Sequence, residues 1–274
     1  AGARQLTVYT RRAPDPVFGF LETDRQGDAG GSVTGLLSPA DIATSPDGKH
    51  VYSVSLGDGA LVAFARDARR NGDDTGGEHL LPLQSYVDGV NGVAGLARAS
   101  RVMVSPDGAW VLVSSEDNNT VSIFARDAGT GLLTHHALRR DGQGGVDGLL
   151  GAQGMAMDAS ASHLYVAGSF EAAVAAFKVD GGNFTYLGVV KGGIGGATGM
   201  GGMRDLAVSA DGLHVLGVGS LSNAVVVLNR DTSVTSANFG RLSFRQAHTT
   251  TGVRLMSIAL PSVADLPDRQ ALVE

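Results

Sequence analysis

Short apolar runs alternate with polar turns along the whole chain, and the runs are too brief and too β-branched to propagate helices. His50-Val51-Tyr52-Ser53-Val54 is followed by a polar turn and then by Leu61-Val62-Ala63-Phe64, a run that closes on an aromatic ring. The same pair of runs recurs, and Phe124, Phe177 and Leu228 take the place of Phe64. A further run follows each time, as in Gly131-Leu132-Leu133-Thr134-His135 or Phe184-Thr185-Tyr186-Leu187. Ahead of each set lies a short apolar segment ending in an Asp-Gly turn, a strong hairpin signal between alternating runs. The pattern predicts strands A, B, C and D, paired antiparallel, in each repeat.

The turn segment gives the period. Ile42-Ala43-Thr44-Ser45-Pro46-Asp47-Gly48 returns as Val102-Met103-Val104-Ser105-Pro106-Asp107-Gly108 and, decayed, as Met155-Ala156-Met157-Asp158-Ala159-Ser160-Ala161. Leu206-Ala207-Val208-Ser209-Ala210-Asp211-Gly212 is a fourth copy, and Val263-Ala264-Asp265-Leu266-Pro267-Asp268-Arg269 is a divergent fifth. Counted at the Ser45 position, the copies stand at 45, 105, 158, 209 and 266, a spacing that suits the blade of a β-propeller. The chain opens with runs of the strand C and D pattern, Leu6-Thr7-Val8-Tyr9-Thr10-Arg11 and Phe18-Gly19-Phe20-Leu21-Glu22, and closes with runs of the A and B pattern, Val263-Ala264-Asp265 and Ala271-Leu272-Val273. The expectation is therefore an all-β, five-bladed β-propeller of four-stranded blades. Residues 1–274 form one domain, with 1–25 and 261–274 together making the closing blade. Closure of the ring removes exposed sheet edges.

Ser-Pro-Asp-Gly-Lys-His-Val-Tyr at 45–52, Asn-Asn-Thr-Val-Ser-Ile-Phe-Ala-Arg-Asp at 118–127 and Gly-Val-Asp-Gly-Leu-Leu-Gly-Ala at 145–152 resemble bacterial lactonase-like and YVTN-type β-propellers. The resemblance runs the full length and rests on blade-building motifs. It implies a propeller fold and a lactone-hydrolysing activity as one reading. Lactonase-type members usually have seven blades, and no catalytic motif matches here residue by residue.

Composition narrows the partners. The 274 residues include 40 Gly and no Cys, and the formal charge is -6. Doubled glycine fits a turn-rich globular protein, since the 43% hydrophobic content is too high for a disordered chain. The acidic balance argues against nucleic acid, and no apolar run is long enough to insert in a membrane. Without Cys there is neither a disulfide nor a thiol nucleophile, and the lack of Cys fits an exported bacterial protein. Ala1-Gly2-Ala3 carries no charged and apolar leader.

Most chemically suggestive residues recur with the blades, and scaffolding accounts for them. Asp47-Gly48, Asp107-Gly108 and Asp211-Gly212 read as turns, with Asp accepting hydrogen bonds and Gly taking positive φ. The Gly-rich stretches at 88–92, 141–145 and 191–196 read as connections from strand D to the next strand A, although Asp141 and Asp147 leave a calcium site open. His50, His163 and His214 share one repeat position, filled by Trp110 in the remaining copy, and equivalent places on separate blades do not converge on zinc. His135 and His136, adjacent on a strand, point to opposite faces. Arg66-Asp67, Arg126-Asp127 and Arg230-Asp231 read as solvated or inter-blade pairs. No Gly-x-Ser-x-Gly elbow is present, and neither a metal nor another cofactor is expected.

One slot escapes the repeat. Four residues before the Ser45 position stand Asp41, Arg101, Gly154, Asp205 and Ser262, preceded by Ala40, Ser100, Gln153, Arg204 and Pro261. This slot opens the innermost strand, where a propeller has its axial mouth, beside the variable B–C turns carrying Asp58, Glu116, Asp117, Glu171 and Ser222. Asp41, Arg101, Gln153, Arg204 and Asp205 form the candidate ligand-binding cluster; ordinary ion pairs, such as Asp41 with Arg101, are the alternative. Three functions follow as expectations. The first is a non-catalytic binding or interaction module that takes a small polar molecule, glycan or protein at one face. The second is a lactone hydrolase, and the third a glycan-binding or glycoside-hydrolysing five-bladed propeller.

Overall fold

The computed structural model describes residues 4–11, 18–27, 33–66 and 80–249. Four antiparallel four-stranded sheets follow one another in chain order. The first holds β3 (Pro39–Thr44), β4 (His50–Ser55), β5 (Ala60–Arg66) and β6 (Leu80–Val87). The second holds β7 (Ala99–Val104), β8 (Trp110–Ser115), β9 (Thr120–Arg126) and β10 (Leu133–Arg140). The third is β11 (Ala152–Met157), β12 (His163–Gly168), β13 (Ala173–Asp180) and β14 (Asn183–Lys191). The fourth is β15 (Met203–Val208), β16 (His214–Gly219), β17 (Ala224–Arg230) and β18 (Leu242–Thr249). A two-stranded sheet, β1 (Gln5–Arg11) with β2 (Phe18–Arg25), precedes them. The chain divides into two compact units, Ala1–Gln153 and Gly154–Glu274. No helix among the described residues is long and apolar enough to cross a membrane.

Burial explains the strand patterns. β4 and β12 are buried at every position, because a strand covered on both faces needs apolar or small residues throughout. The outer strand β6 has its buried residues only near its two ends and exposed ones between. Tyr52, Val54, Leu61 and Tyr86 of the first sheet pack with Val102, Val113, Phe124 and Leu133 of the second in one core of the first unit. A second core there joins Val51, Val62 and Phe64 to Leu6 and Val8 of β1. The second unit has its own, with Tyr165, Val174, Met203, Leu206, Val226 and Leu228.

Two β-bulges recur, each adding local twist. In the C–D ladder the register breaks just before the large residue ending strand C, at Phe64, Phe177 and Leu228. The ladder of β1 and β2 breaks at Tyr9 in the same way, so these strands share the register of a C–D pair. Their expected partners, 261–274, lie outside the described residues, as do the fifth copy at 263–269, Asp67 and residues 1–3. The inner bulge falls between Pro39 and Asp41, between Ala99 and Arg101, and between Met203 and Asp205.

The turns are built as expected. Ser45 Oγ donates to Asp47 Oδ1 at 2.5 Å, and the Lys49 amide donates to the same oxygen at 3.2 Å. In the Gly-rich D–A connections a side-chain oxygen at the start accepts from the amide of a fully buried leucine at the end. The pairs are Gln26 with Leu36 at 2.7 Å, Asp88 with Leu96 at 2.8 Å and Asp141 with Leu149 at 3.0 Å.

Candidate functional site

The slot singled out by non-recurrence coincides with the inner bulge. Ala40, Ser100 and Arg204 are the extra, unpaired residues, and Asp41, Arg101 and Asp205 follow them directly. Bulges re-aim side chains and concentrate next to active sites.

In the first unit β3 packs against β7, and Asp41 Oδ2 accepts from the Val102 amide at 3.0 Å. Asp41 is thereby fixed beside the residue that follows Arg101, and both side chains remain half-buried. Gln153 is buried, and its carbonyl accepts from Ser114 Oγ at 2.7 Å. In the second unit Arg204 and Asp205 are half-buried neighbours on β15, and Asp205 Oδ1 accepts from the Leu206 amide at 3.0 Å. Gly154 occupies the slot in the third sheet for a steric reason. A Cβ there would meet the Arg204 carbonyl oxygen at 2.7 Å and press on the Asp205 backbone.

The B–C turns beside the slot are held by local contacts. Asp58 Oδ2 accepts from the Leu37 amide at 2.9 Å, Lys191 Nζ pairs with Glu171 at 2.6 Å, and Ser222 Oγ accepts from the Gly201 amide at 3.0 Å. Arg98, at φ 51, reaches Asp117 at 3.2 Å and Glu116 at 3.6 Å.

A larger polar assembly lies at the opposite end of the sheets, and it unites residues that the sequence reading had kept apart. Arg126 crosses from the second sheet to the first: Nε donates to Tyr52 Oη at 3.0 Å, and Nη2 reaches Asp47 Oδ2 and His50 Nδ1, each at 2.8 Å. Its Nη1 donates to the Gly108 carbonyl at 3.0 Å, and Tyr52 donates to the Gly131 carbonyl at 3.0 Å. The second unit repeats the assembly. Arg230 Nε donates to Tyr165 Oη at 2.7 Å, Nη1 to the Gly212 carbonyl at 2.9 Å, and Nη2 contacts His163 Nδ1 at 3.0 Å and Asp158 Oδ2. The apparent decay of the third turn is an exchange. Asp158 stands at the Ser45 position and Ser160 at the Asp47 position, yet hydroxyl and carboxylate still bond, at 3.0 Å, and the carboxylate still meets the arginine.

Electrostatics fit a scaffold role for this assembly. The Arg126 hydrogen bond, and then that of Ser45, hold the Asp47 carboxyl far below the usual range. Burial pushes Asp158 up, but hydrogen bonds from His163 and the Arg230 charge outweigh it and hold the group ionised. Burial, then the Arg126 charge, lowers His50, and burial pushes Tyr165 up to about 12. The readable signal is Tyr two residues after His in the first and third copies, with Arg two residues after the large residue near the end of strand C in the first, second and fourth.

Comparison with known proteins identifies the fold. A family model described as lactonase, 7-bladed beta-propeller matches residues 7–147. A solved structure of a proposed 6-phosphogluconolactonase from Bacteroides fragilis is similar, with TM-score 0.68 and 18% identity, over 89% of this chain and 65% of that one. A Lactobacillus plantarum protein gives TM-score 0.66 and 18% identity, over 89% and 65%. The periplasmic gluconolactonase of Pseudomonas aeruginosa gives TM-score 0.65 and 19% identity, over 89% and 63%. This chain thus spans less than two-thirds of each of these neighbours, and no curated protein matches it. The fold is β-propeller-like.

Proposed function

Because the chain belongs to the lactonase, 7-bladed beta-propeller family, we propose that it hydrolyses a lactone. The family and its gluconolactonase-named neighbours support this reading over a non-catalytic binding module. The single observation that supports the residue assignment is the bond from the Val102 amide to Asp41 Oδ2, which holds the carboxylate beside the residue that follows Arg101 on the adjacent strand. In this reading the Arg101 guanidinium donates to the lactone carbonyl oxygen and stabilises the oxyanion as water adds. The Asp41 carboxylate accepts the proton of that water, its orientation set by the Val102 amide. The ring oxygen then leaves and takes the proton that Asp41 accepted, giving a hydroxy acid and restoring the carboxylate. Arg204 and Asp205 supply the same two functions in the second unit, and Gln153 offers an amide for substrate hydroxyls. The five-bladed ring, closed by 1–25 and 261–274, belongs to the same proposal.

Proton release on opening of glucono-δ-lactone and a panel of other sugar lactones provides the test, with glycosides as controls. The wild type should open at least one lactone. Arg101→Ala should lower kcat about 100-fold, and Asp41→Asn, which keeps an oxygen for the Val102 amide, should also lower it with unchanged thermal unfolding. A folded wild type that opens no lactone overturns the reaction. Full activity in Arg101→Ala and Asp41→Asn overturns the residue assignment.

A further inference from the structure

The second unit contains a cavity of about 640 Å³, lined by Met157, Asp211, Leu213, Thr232, Val234 and Phe239 among others. That volume lies within the usual range for small-molecule sites. It sits where the A–B turns of the third and fourth sheets meet the C–D loop of the fourth. The Asp205 end of β15 is therefore remote, about 13 Å from Ser209 along the strand.

The repeat shows how the cavity arises. In the second sheet the C–D loop runs from Asp127 to Gly131; the Gly131 amide donates to the Asp127 carbonyl at 2.8 Å, and Tyr52 donates to the Gly131 carbonyl at 3.0 Å. In the fourth sheet Asp231 and Gly240 make the same two bonds, also at 2.8 and 3.0 Å, the second from Tyr165. Between these anchors there are three residues in one loop and eight in the other. The longer loop is ordered by its own bonds, Ser236 Oγ to Asp231 Oδ2 at 2.6 Å and the Ser236 amide to the Ser233 carbonyl at 2.9 Å. Its members Thr232, Val234 and Phe239 supply one wall. A scaffold that needs three residues carries eight, and the surplus walls one side of an open cleft, with Val234 78% exposed at its rim.

The lining chemistry selects the ligand. Among the described residues the one cationic side chain in the lining, Arg230, has its donors engaged by Tyr165, Gly212, Asp158 and His163. Ser160 and Ser209 donate their hydroxyls to Asp158 and Asp211. Among the described residues Asp211 uses Oδ1 for the Ser209 hydroxyl and the Leu213 amide, so its exposed carboxylate has an oxygen to offer, and the Thr232 hydroxyl stands beside it. Met157, Leu213, Val234 and Phe239 give an apolar wall. We propose that this cavity is a binding site for a small organic amine, its apolar body against Phe239, Leu213 and Val234 and its ammonium on Asp211. The site is independent of lactone hydrolysis, and it disfavours carboxylates, which would face Asp211 without a free cation.

Benzylamine and benzoate, two probes of equal size and opposite charge, test this by saturation-transfer NMR and calorimetry on the full chain. Benzylamine should bind, and benzoate should not. Asp211→Asn, which retains the turn acceptor, and Val234→Lys, at an exposed position, should each weaken benzylamine about tenfold or more, with unfolding temperatures close to wild type. Arg101→Ala should leave benzylamine binding unchanged. Absence of benzylamine binding to folded wild type, equal binding of benzoate, indifference to both cavity variants, or loss of binding in Arg101→Ala would each overturn the proposal. Lactone turnover does not enter the readout, so the two proposals fail separately.

Discussion

Arg126 carries a cation that cannot leave its site, because every donor nitrogen meets an acceptor and the side chain is 2% exposed. Its partner Asp47 is 31% exposed, whereas Asp158, the partner of Arg230, is 5% exposed. Removal of one member of a buried pair costs about 3–5 kcal/mol, and less where water can solvate the survivor. Arg230→Met should therefore destabilise by about 3–5 kcal/mol and Arg126→Met by about 2 kcal/mol, and urea unfolding should rank them in that order. The histidines add a pH dependence. Arg126 donates to His50 Nδ1, so His50 is neutral with its proton on Nε2, and burial lowers both His50 and His135. A depressed imidazole contributes stability that is complete above its unfolded pKa of about 6.5 and is lost as pH falls below it. Asp47 and Asp158, also depressed, contribute stability that is lost only below about pH 4. Unfolding free energy should thus be level from about pH 7 up to the tyrosine range, fall first through the imidazole range on acidification and fall again in stronger acid. A protein more stable at pH 5.5 than at pH 7.5 would contradict the first step.

At the scale of elements the sequence was most informative where local chemistry decides the outcome. Strands A to D of four repeats, the Ser-x-Asp turns and the glycine connections all follow from alternation, Asp-Gly turns and positive φ. Strand D of the second repeat begins at Leu133 and not at Gly131, because Gly131 is an anchor. Its carbonyl takes the Tyr52 proton, and a Cβ there would collide with the His50 ring. Neither bulge was legible, since a bulge depends on which residues face each other across two strands. The candidate slot stands out without it, from the variation at 41, 101, 154, 205 and 262 and at the residue before each. β1 offers a test of element assignment. Leu6 and Val8 cover the core around Phe64, and β1 pairs with β2 along its length. Deletion of residues 1–11 should lower the unfolding temperature by several degrees and promote aggregation through the bared β2 edge. Unchanged melting and light scattering would show that β1 contributes nothing.

At the scale of the molecule, side-chain assemblies were the least legible level, because their members are scattered across repeats. Histidine, tyrosine and arginine were each visible at a repeat position, but their convergence requires knowing that adjacent sheets face each other. In the third turn serine and aspartate exchange places, which hides the motif position by position, whereas the fold keeps the carboxylate on the arginine. The two assemblies have a further consequence. In each unit one sheet brings His and Tyr as receivers and the next brings Arg as donor, so the two sheets are joined by side chains as well as by their apolar core. The first sheet also carries Arg66 at the donor position, its Nη1 donating to the Gly48 carbonyl, so it holds both halves of the lock. A copy of the first sheet placed after itself would keep the lock, whereas a copy of the third, with Val179 at that position, would leave Tyr165 and Asp158 without their donor.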